Sequence, residues 1–244
     1  GGRLRLSDTW DLDVSASDSQ PSETFTTITD LSFPVGTALF GDINTETRSV
    51  EGVINGELFA LPGGDSRIAL GGTYREESFK YVLKSPTGTL VNRRPDERQV
   101  TSFFAEAFLP LVDDTTPIIR NLTLSLAGRY DKYSDFGESL VPKVGVRLEP
   151  LDGLSLRSTF SKSFKAPLLS DLVETRRIIL RQMPDASAAD GLSLSLIDGG
   201  AGNAGLQPEN SRSWTIGFDY RSAEHPLSIG ATYYDIEYED KIGR

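Results

Sequence analysis

The feature that most constrains this chain is an alternation of apolar and polar side chains with a period of two. In residues 122–126, for example, leucine alternates with Thr123 and Ser125. Successive side chains of a β-strand point to opposite faces, so each such segment predicts a strand with one apolar and one polar face. About nine segments fit this template: 10–16, 50–58, 68–74, 103–111, 122–130, 144–148, 154–160, 214–220 and 227–233. The chain is therefore predicted to be all-β.

The connections between these segments alternate in length. The short ones are rich in Gly, Pro and Asp, which favour tight turns. Short connections cover 62–66, 113–117, 150–153 and 223–226, and long ones cover 18–47, 81–97, 131–140 and 166–211. In an antiparallel up-and-down meander, this places all short links at one end of the sheet and all long links at the other. One helix candidate, Leu168–Met183, interrupts the longest connection.

Composition excludes several classes of function. The formal net charge of −10 disfavours broad nucleic-acid binding, which needs a basic surface. The absence of Cys excludes disulfides, thiolate metal sites and a Cys nucleophile. The single histidine, His225, lies in a short turn, so a Ser–His–Asp triad is not expected. We predict neither enzymatic activity nor a cofactor or metal site, and no run of ~18 apolar residues predicts a membrane helix.

Two architectures combine one apolar with one polar face. A soluble sandwich packs its apolar faces together, whereas a transmembrane barrel turns them to lipid and needs strands of ~9–11 residues. Counted with their flanking polar residues, segments such as 102–111 and 121–130 sustain the alternation for ten residues, and apolar residues make up only 38% of the chain. Charged residues fall on the polar face: Arg67, Arg75, Glu106, Arg129, Arg147, Arg157, Asp219 and Arg221. The pattern favours the barrel, and a soluble β-sheet binding or adhesion module remains the alternative.

Aromatic residues support the barrel interpretation. Trp10, Tyr74, Tyr130 and Tyr220 occupy the apolar face near strand ends, as in the aromatic girdles of membrane barrels. Three apolar residues, Val53, Phe104 and Phe108, depart from the pattern and fall on the polar face. We expect Phe104 and Phe108 to pack against something that fills the interior.

Four segments, in this order, resemble the barrel region of TonB-dependent outer-membrane receptors. They are GVINGELFALPGGDSRIALGGTYREE (52–77), FFAEAFLPLV (103–112), the segment 124–145 ending in RYDKYSDFGESLVPKVG, which is followed by the corner FSKSFKAPLLSDL (160–172), and LQPENSRSWTIGFDY (206–220). The resemblance covers a middle-to-late slice of such a barrel. It includes no plug domain, no TonB box and no terminal aromatic strand.

The resemblance implies a fold and a function. The fold is a 22-stranded transmembrane β-barrel with an N-terminal plug, of which residues 1–244 would be one part. The function is TonB-energised nutrient uptake across the outer membrane of a Gram-negative bacterium, with a ferric siderophore expected first and haem, cobalamin or oligosaccharide as other substrates. The implied partners are the protein's own plug, the TonB complex, and outer-membrane lipid and lipopolysaccharide.

Two groups of residues are the site candidates. Lys162, Lys165, Arg176, Arg177 and Arg181 lie in or beside the longest connection, where Arg and Lys suit an anionic ligand or lipopolysaccharide phosphates. Solvation, or pairing with Asp171 and Glu174, is the alternative. The second group is expected to face the lumen and either hold the plug or hydrate the interior: Arg75, Glu106, Arg129, Arg147 and Arg157.

Other polar segments are expected to be solvated loops. Asp42–Glu46 lacks the Gly and terminal Glu of a calcium-binding loop. The Gly-rich stretch 198–203 lacks the strand, helix and Lys that a phosphate-binding loop requires. Both ends of the chain are expected to be cuts in a longer protein. An isolated part of a barrel would carry open strand edges, which favour self-association.

Overall fold

The computed structural model describes residues 1–29, 37–85, 88–92, 96–113, 119–173, 178–185, 187, 191–198 and 202–243. Fourteen strands and one short helix lie in these residues. They are β1 (Gly2–Arg5), β2 (Trp10–Ser19), β3 (Ser22–Thr29), β4 (Thr37–Leu61), β5 (Gly64–Ser85), β6 (Gly88–Asn92), β7 (Asp96–Val112), β8 (Asn121–Tyr133), β9 (Gly137–Leu151), β10 (Leu154–Lys165), α1 (Leu169–Val173), β11 (Ile178–Pro184), β12 (Leu192–Asp198), β13 (Glu209–Arg221) and β14 (Ser228–Glu239).

Twelve of the strands form one antiparallel sheet. Its order is β1-β2-β4-β5-β7-β8-β9-β10-β13-β14, with β3 paired to β4 and β6 paired to β5. The remaining two strands, β11 and β12, form a separate hairpin within the longest connection. All nine predicted segments are strands of the main sheet, and they follow one another as the predicted meander. The all-β fold class is therefore confirmed, and β1 and β14 are the two edges of the sheet among the described residues.

The long connections are more regular than predicted. The segment 18–47 contains β3 and the first part of β4, and the segment 81–97 contains the end of β5 and all of β6. The segment 131–140 shrinks to a turn of three residues between β8 and β9. In these stretches β3 pairs with β4 and β6 pairs with β5. The sequence does not show a clear apolar face there, so the alternation did not reveal these strands. The predicted bounds of these connections were therefore too wide.

The helix predicted at Leu168–Met183 was also wrong in extent. Only the five residues Leu169–Val173 are helical, and Ile178–Pro184 forms β11. The segment IILRQM belongs to a hairpin, because each of these residues pairs with a residue of β12. Within the described residues, no helix is long and apolar enough to cross a membrane.

The register places most apolar side chains of the nine long strands on one face, which we call the apolar face. Along one line across β2, β4, β5 and β7, Leu12 pairs with Ile54, Ile54 with Leu70, and Leu70 with Ala105. A second line crosses β8 to β13 through these pairs: Leu126 with Val144, Val144 with Phe160, and Phe160 with Trp214. A slip of one residue would turn a strand's apolar set to the opposite face. No such slip occurs within these lines.

The nine long strands are long enough for the expected membrane crossing. The shortest of them, β2, has 10 residues, and a tilted membrane strand needs ~9–11. Strands β4 and β5 have 25 and 22 residues. At ~3.3 Å per residue these two strands extend roughly 70–80 Å, well beyond a hydrocarbon core of ~30 Å. The β4–β5 hairpin therefore reaches far past the band that the other strands share.

Large apolar side chains are more exposed than in a soluble domain. Phe103, Trp214 and Ile216 are 60%, 47% and 57% exposed, and all three lie on the apolar face. The well-buried apolar residues are few and lie on the opposite face: Phe79, Tyr81, Val100 and Tyr133. The sheet thus lacks a soluble-type core on its apolar side, as expected of a surface that contacts lipid.

Aromatic rings cover two glycines that pair with them across strands. The ring of Trp10 lies over Gly56 on the apolar face, and the ring of Phe104 lies over Gly71 on the polar face. A Cβ atom at either glycine would overlap the ring. Phe104 thus has a partner within the sheet, so its place on the polar face does not require a filled interior.

An isolated chain of residues 1–244 is expected to self-associate in water. The edges β1 and β14 offer unpaired backbone groups, and the apolar face is uncovered. Size-exclusion chromatography without detergent should show oligomers or aggregates, and detergent should reduce their size. A monodisperse monomer without detergent would contradict this expectation.

Substitution of Gly153 in the β9–β10 turn tests the short-link end of the sheet. Gly153 has φ +77°, and a Cβ there would overlap the carbonyl oxygen of Arg221, whose N–H donates to the Gly153 oxygen at 2.8 Å. Gly153→Ala should destabilise the full-length protein by ~1–3 kcal/mol of backbone strain plus the overlap. Gly137→Ala is the matched control, because Gly137 also has positive φ (+111°) but open space around it. Equal losses in thermal unfolding would show that the overlap has no role.

Candidate functional site

The candidate site is the polar face of the sheet, where all five residues of the predicted lumen-facing group lie. Four of the five form ion pairs within the sheet. Arg75 Nε lies 2.7 Å from Glu77, Arg129 Nε 2.9 Å from Asp131, and Arg147 Nη2 2.8 Å from Glu149, while Arg157 pairs with Asp219. These arginines therefore carry little free charge toward the space that the polar face borders.

Glu106 is the exception in this group. It lies between Ala69 of β5 and Ala127 of β8, whose small side chains leave its carboxylate uncovered. Glu106, Arg67 and Lys143 line one broad depression, and none of the three forms an ion pair with another described residue. Phe108, which is 45% exposed, also lines this depression. The depression thus combines free charges of both signs with an exposed aromatic ring.

A buried charge cluster lies on the same face, toward the long connections. Arg98 of β7 is 3% exposed and pairs across the strands with Glu77 of β5, at 3.6 Å. Asp131 is 2% exposed and accepts hydrogen bonds from the Ser102 hydroxyl, directly opposite, and from Arg129 Nε. Buried charges are tolerated when they are paired and hydrogen-bonded, as they are here.

Arg98 also holds the Ala-Pro corner against the sheet. Its Nη1 donates to the carbonyl oxygen of Pro167 at 2.9 Å, and its Nε donates to Asp135 at 2.8 Å. The guanidinium carbon lies 5.6 Å and 5.5 Å from the ring centres of Tyr133 and Phe136, within range of a cation–π interaction. One buried side chain therefore joins β7, the β8–β9 turn and the start of the longest connection.

The predicted basic group of the longest connection is not brought together by the described residues. Lys162 and Lys165 are three residues apart in β10, so they point to opposite faces. Lys165 lies 3.6 Å from Glu209, whereas Lys162 lines a depression with Arg212 and Glu237. Arg181 lies in β11 opposite Ser195. Arg176 and Arg177 lie outside the described residues.

Two polar segments that the sequence predicts to be solvated loops remain, Asp42–Glu46 and 198–203. Asp42–Glu46 lies inside β4 rather than in a loop. The Asp42 carboxylate accepts a hydrogen bond from the Thr24 hydroxyl and lies 3.5 Å from Lys84 Nζ. In the part of the chain that the structure describes, no group of three or more His, Asp or Glu residues is placed to hold a metal ion. The Gly-rich stretch 198–203 lies partly outside the described residues.

Sequence reasoning missed the buried charge cluster. Arg98 follows directly after a stretch that was assigned to a connection, yet Arg98, Val100 and Ser102 continue the alternation of β7. That period would have placed Arg98 on the polar face. Its burial depends on Pro167 and Phe136, which are distant in sequence and carry no local signal.

The chain is similar to one protein family over its entire length. Residues 1–244 match the family model described as TonB dependent receptor-like, beta-barrel. A comparison with curated proteins finds no match.

Solved structures with a similar fold include two receptors and one peptide transporter. The siderophore receptor PirA from Pseudomonas aeruginosa is 16% identical, with a TM-score of 0.57, over 97% of this chain and 44% of that one. The RagAB peptide transporter is 14% identical, with a TM-score of 0.62, over 97% and 29%. A G324V mutant of the ferric enterobactin receptor PfeA from Pseudomonas aeruginosa is 15% identical, with a TM-score of 0.56, over 98% and 41%. This chain spans less than half of each, and identities this low establish the fold alone.

Replacement of Arg98 by Met is expected to loosen the corner. It removes the guanidinium that bonds to Asp135 and to the carbonyl oxygen of Pro167, while Glu77 keeps its pair with Arg75. The loss of these hydrogen bonds should cost about 1–3 kcal/mol. Arg212→Met is the matched control, because Arg212 also pairs with a carboxylate, that of Glu237, but is 57% exposed and should cost at most about 1 kcal/mol. Hydrogen exchange of the full-length protein should rise at residues 166–173 in the Arg98 variant only. Unchanged exchange there would contradict the role of Arg98 as the anchor.

Proposed function

The chain belongs to the TonB-dependent receptor β-barrel family, and we propose that the intact protein is an outer-membrane receptor that imports a scarce nutrient with energy transmitted by TonB. The observation that carries this proposal is the unbroken apolar face of nine long strands opposite a charged polar face. This arrangement suits a barrel wall between lipid and an aqueous lumen. It does not suit the soluble binding module that the residue pattern alone left open, since nothing described covers the apolar face.

The proposed location is the outer membrane of a Gram-negative bacterium, with the short links toward the periplasm and the long connections outside. Aromatic residues on the apolar face would lie at the lipid interfaces, and Lys162 and Arg212 just beyond Phe160 and Trp214 could meet lipopolysaccharide phosphates. The strands that close the barrel, the plug and the TonB box would belong to the rest of the intact protein.

The proposed mechanism has two steps, ligand capture and opening of the lumen. The long connections would capture the ligand, and TonB would displace the plug to open the lumen. No step in this sequence changes a covalent bond, so no catalytic residue is assigned. A ferric siderophore is the first substrate to test, because two of the similar solved structures are a siderophore receptor and a ferric enterobactin receptor. The described residues do not bring Lys162, Lys165 and Arg181 together, so the predicted basic group does not by itself support this choice. Haem, cobalamin and oligosaccharide are the other candidates.

We propose that the plug docks on the depression around Glu106. Four arginines of the polar face already have carboxylate partners in the sheet: Arg75, Arg129, Arg147 and Arg157. They would mainly keep the surface of the lumen polar and hydrated. Glu106, Arg67 and Lys143 remain free to pair with another part of the protein. Phe108 would add an apolar contact.

Deletion of the gene for the full-length receptor tests the proposed function. Uptake or growth on the substrate should be lost, and deletion of tonB should cause the same loss. Ferric siderophores, haem, cobalamin and oligosaccharides should be supplied singly, under limitation for the matching nutrient. Uptake that persists without TonB, or a receptor absent from the outer-membrane fraction, would refute the proposal.

Glu106→Gln in the full-length receptor tests the plug contact. The loss of a charge-assisted contact should weaken plug docking by about 1.5–3 kcal/mol, and cells should become several-fold more sensitive to a large antibiotic such as vancomycin that the closed pore excludes. Glu51→Gln is the control, because Glu51 is on the same face but accepts a hydrogen bond from Thr73 within the sheet, at 3.0 Å. Equal sensitivity of the two variants would argue against docking at Glu106.

A further inference from the structure

The apolar face does not end at the same level on every strand. One line of paired residues crosses all nine long strands, and we call it the reference line. Its members, in strand order, are Trp10, Gly56, Ile68, Ala107, Leu126, Val144, Phe160, Trp214 and Asp235. Every second residue of a strand lies on the same face, so the line gives one level from which the apolar residues of each strand can be counted.

On the side of the long connections, the apolar residues stop progressively earlier from β2 to β14. On β2, three apolar residues of this face lie between the line and the first charged one, Asp18. On β8, two uncharged residues lie between the line and Lys132. On β13, Arg212 is the first residue of the face beyond the line, and on β14 the charged Asp235 lies on the line itself.

On the side of the short links, the count runs the other way. Trp10 is the first residue of β2, so no residue of that strand lies beyond the line. On β8, Leu124 and Leu122 lie beyond it, and on β13 three apolar residues do, ending at Tyr220. The two borders therefore descend together. They enclose an apolar band of four or five residues of the face on these strands, roughly 20–26 Å along the strand.

The slope of this band can be converted into an angle. Asp18 lies eight residues beyond Trp10 along β2, whereas on β14 the border has reached the line at Asp235. The border thus moves by about one residue for each step between neighbouring strands. One residue is ~3.3 Å along a strand and one step is ~4.8 Å across, so the band is inclined to the reference line by about 35°. Strands of closed barrels tilt by a similar angle, typically 35–45°.

A bilayer is the occupant that fits this geometry. A packed second sheet or subunit would need a compact apolar patch, and nothing in such a contact would make two borders descend in parallel across nine strands. A hydrocarbon layer imposes such borders, because it excludes charged side chains above and below a fixed height. Large apolar residues inside the band are well exposed, as at Phe103 and Ile216, 60% and 57%.

We propose that the membrane plane crosses the reference line at this angle, so that Trp10 lies at the periplasmic interface and Trp214 at the outer interface. Arg212 lies two residues beyond the line, in the outer head-group layer. Leu70 also lies two residues beyond the line, yet it lies in hydrocarbon. This inference rests on the proposed function, because it states how the same receptor sits in its membrane.

Single-cysteine variants of the full-length receptor test the slope, since residues 1–244 contain no Cys. Leu70→Cys and Arg212→Cys are the matched pair, because both positions are exposed in the sheet, at 42% and 57%. In intact cells, a membrane-impermeant maleimide should label Arg212→Cys at least about tenfold faster than Leu70→Cys, because hydrocarbon excludes the polar reagent. The unmodified receptor gives the background.

A second pair and a second readout guard against a misfolded variant. Ile54→Cys and Lys162→Cys repeat the comparison, because Ile54 pairs with Leu70 and Lys162 pairs with Arg212. A nitroxide attached at each position, with the receptor in lipid vesicles, should be more accessible to oxygen at 54 and 70 and more accessible to a polar nickel chelate at 162 and 212. Equal labelling within both pairs, or equal nitroxide accessibility, would overturn the inclined band.

Uptake measurements separate failure of this inference from failure of the proposed function. TonB-dependent uptake together with equal labelling would support the receptor function and overturn the inclined band. The expected difference in labelling without any TonB-dependent uptake would support the inclined band and contradict the receptor function.

Discussion

The pairing of backbone groups between neighbouring strands is the constraint on which the rest of this structure depends. Side chains alternate with a period of two, so the register of each strand decides which of its residues lie on the apolar face and which on the polar face. Three irregularities in the main ladders occur, at Glu57–Ala60, Pro110–Val112 and Leu154–Leu156, and each lies close to a short link. Bulges placed there bend the strand ends without disturbing the phase of the central band. The two faces consequently stay chemically distinct across nine strands.

Separation of the faces also determines where charge is stable. On the polar face, three arginines pair with the carboxylate two positions further along the same strand: Arg75 with Glu77, Arg129 with Asp131, and Arg147 with Glu149. Side chains two apart in a strand share a face, so the same period that sorts apolar from polar residues also pairs opposite charges. Glu106 differs because its neighbours across the strands are alanines. Three charged side chains without an ion pair to another described residue, Glu106, Arg67 and Lys143, distinguish this depression.

Much of the fold was predictable from the sequence because its main signal is local. The nine segments and the order of the meander follow from alternation and turn residues alone. Alternation was not informative in two places. Polar strands such as β3 have no apolar face. Leu168–Met183 contains apolar residues at spacings compatible with a helix, although part of it forms β11. The site was less predictable. The register places Arg75 and Arg129 on the polar face, which alternation alone indicates, but the burial of Arg98 depends on Pro167 and Phe136, which are distant in sequence.

The Ala-Pro corner shows how a local signal acquires its structural meaning from such distant contacts. Pro167 lacks an N–H to continue a strand ladder, which accounts for the end of β10 at Lys165. Its carbonyl oxygen, however, accepts from Arg98, and its side chain is fully buried. Where the chain returns toward β13, the Asn203 N–H donates to the main-chain carbonyl oxygen of Asp171 at 2.8 Å. The outgoing and returning chains are thus joined at α1, and α1 follows directly from the corner that Arg98 holds. The hairpin of β11 and β12 belongs to the same connection. The connection is therefore fixed at its start, where Pro167 is bonded to Arg98 of β7 and Arg98 is bonded to Asp135 of the β8–β9 turn.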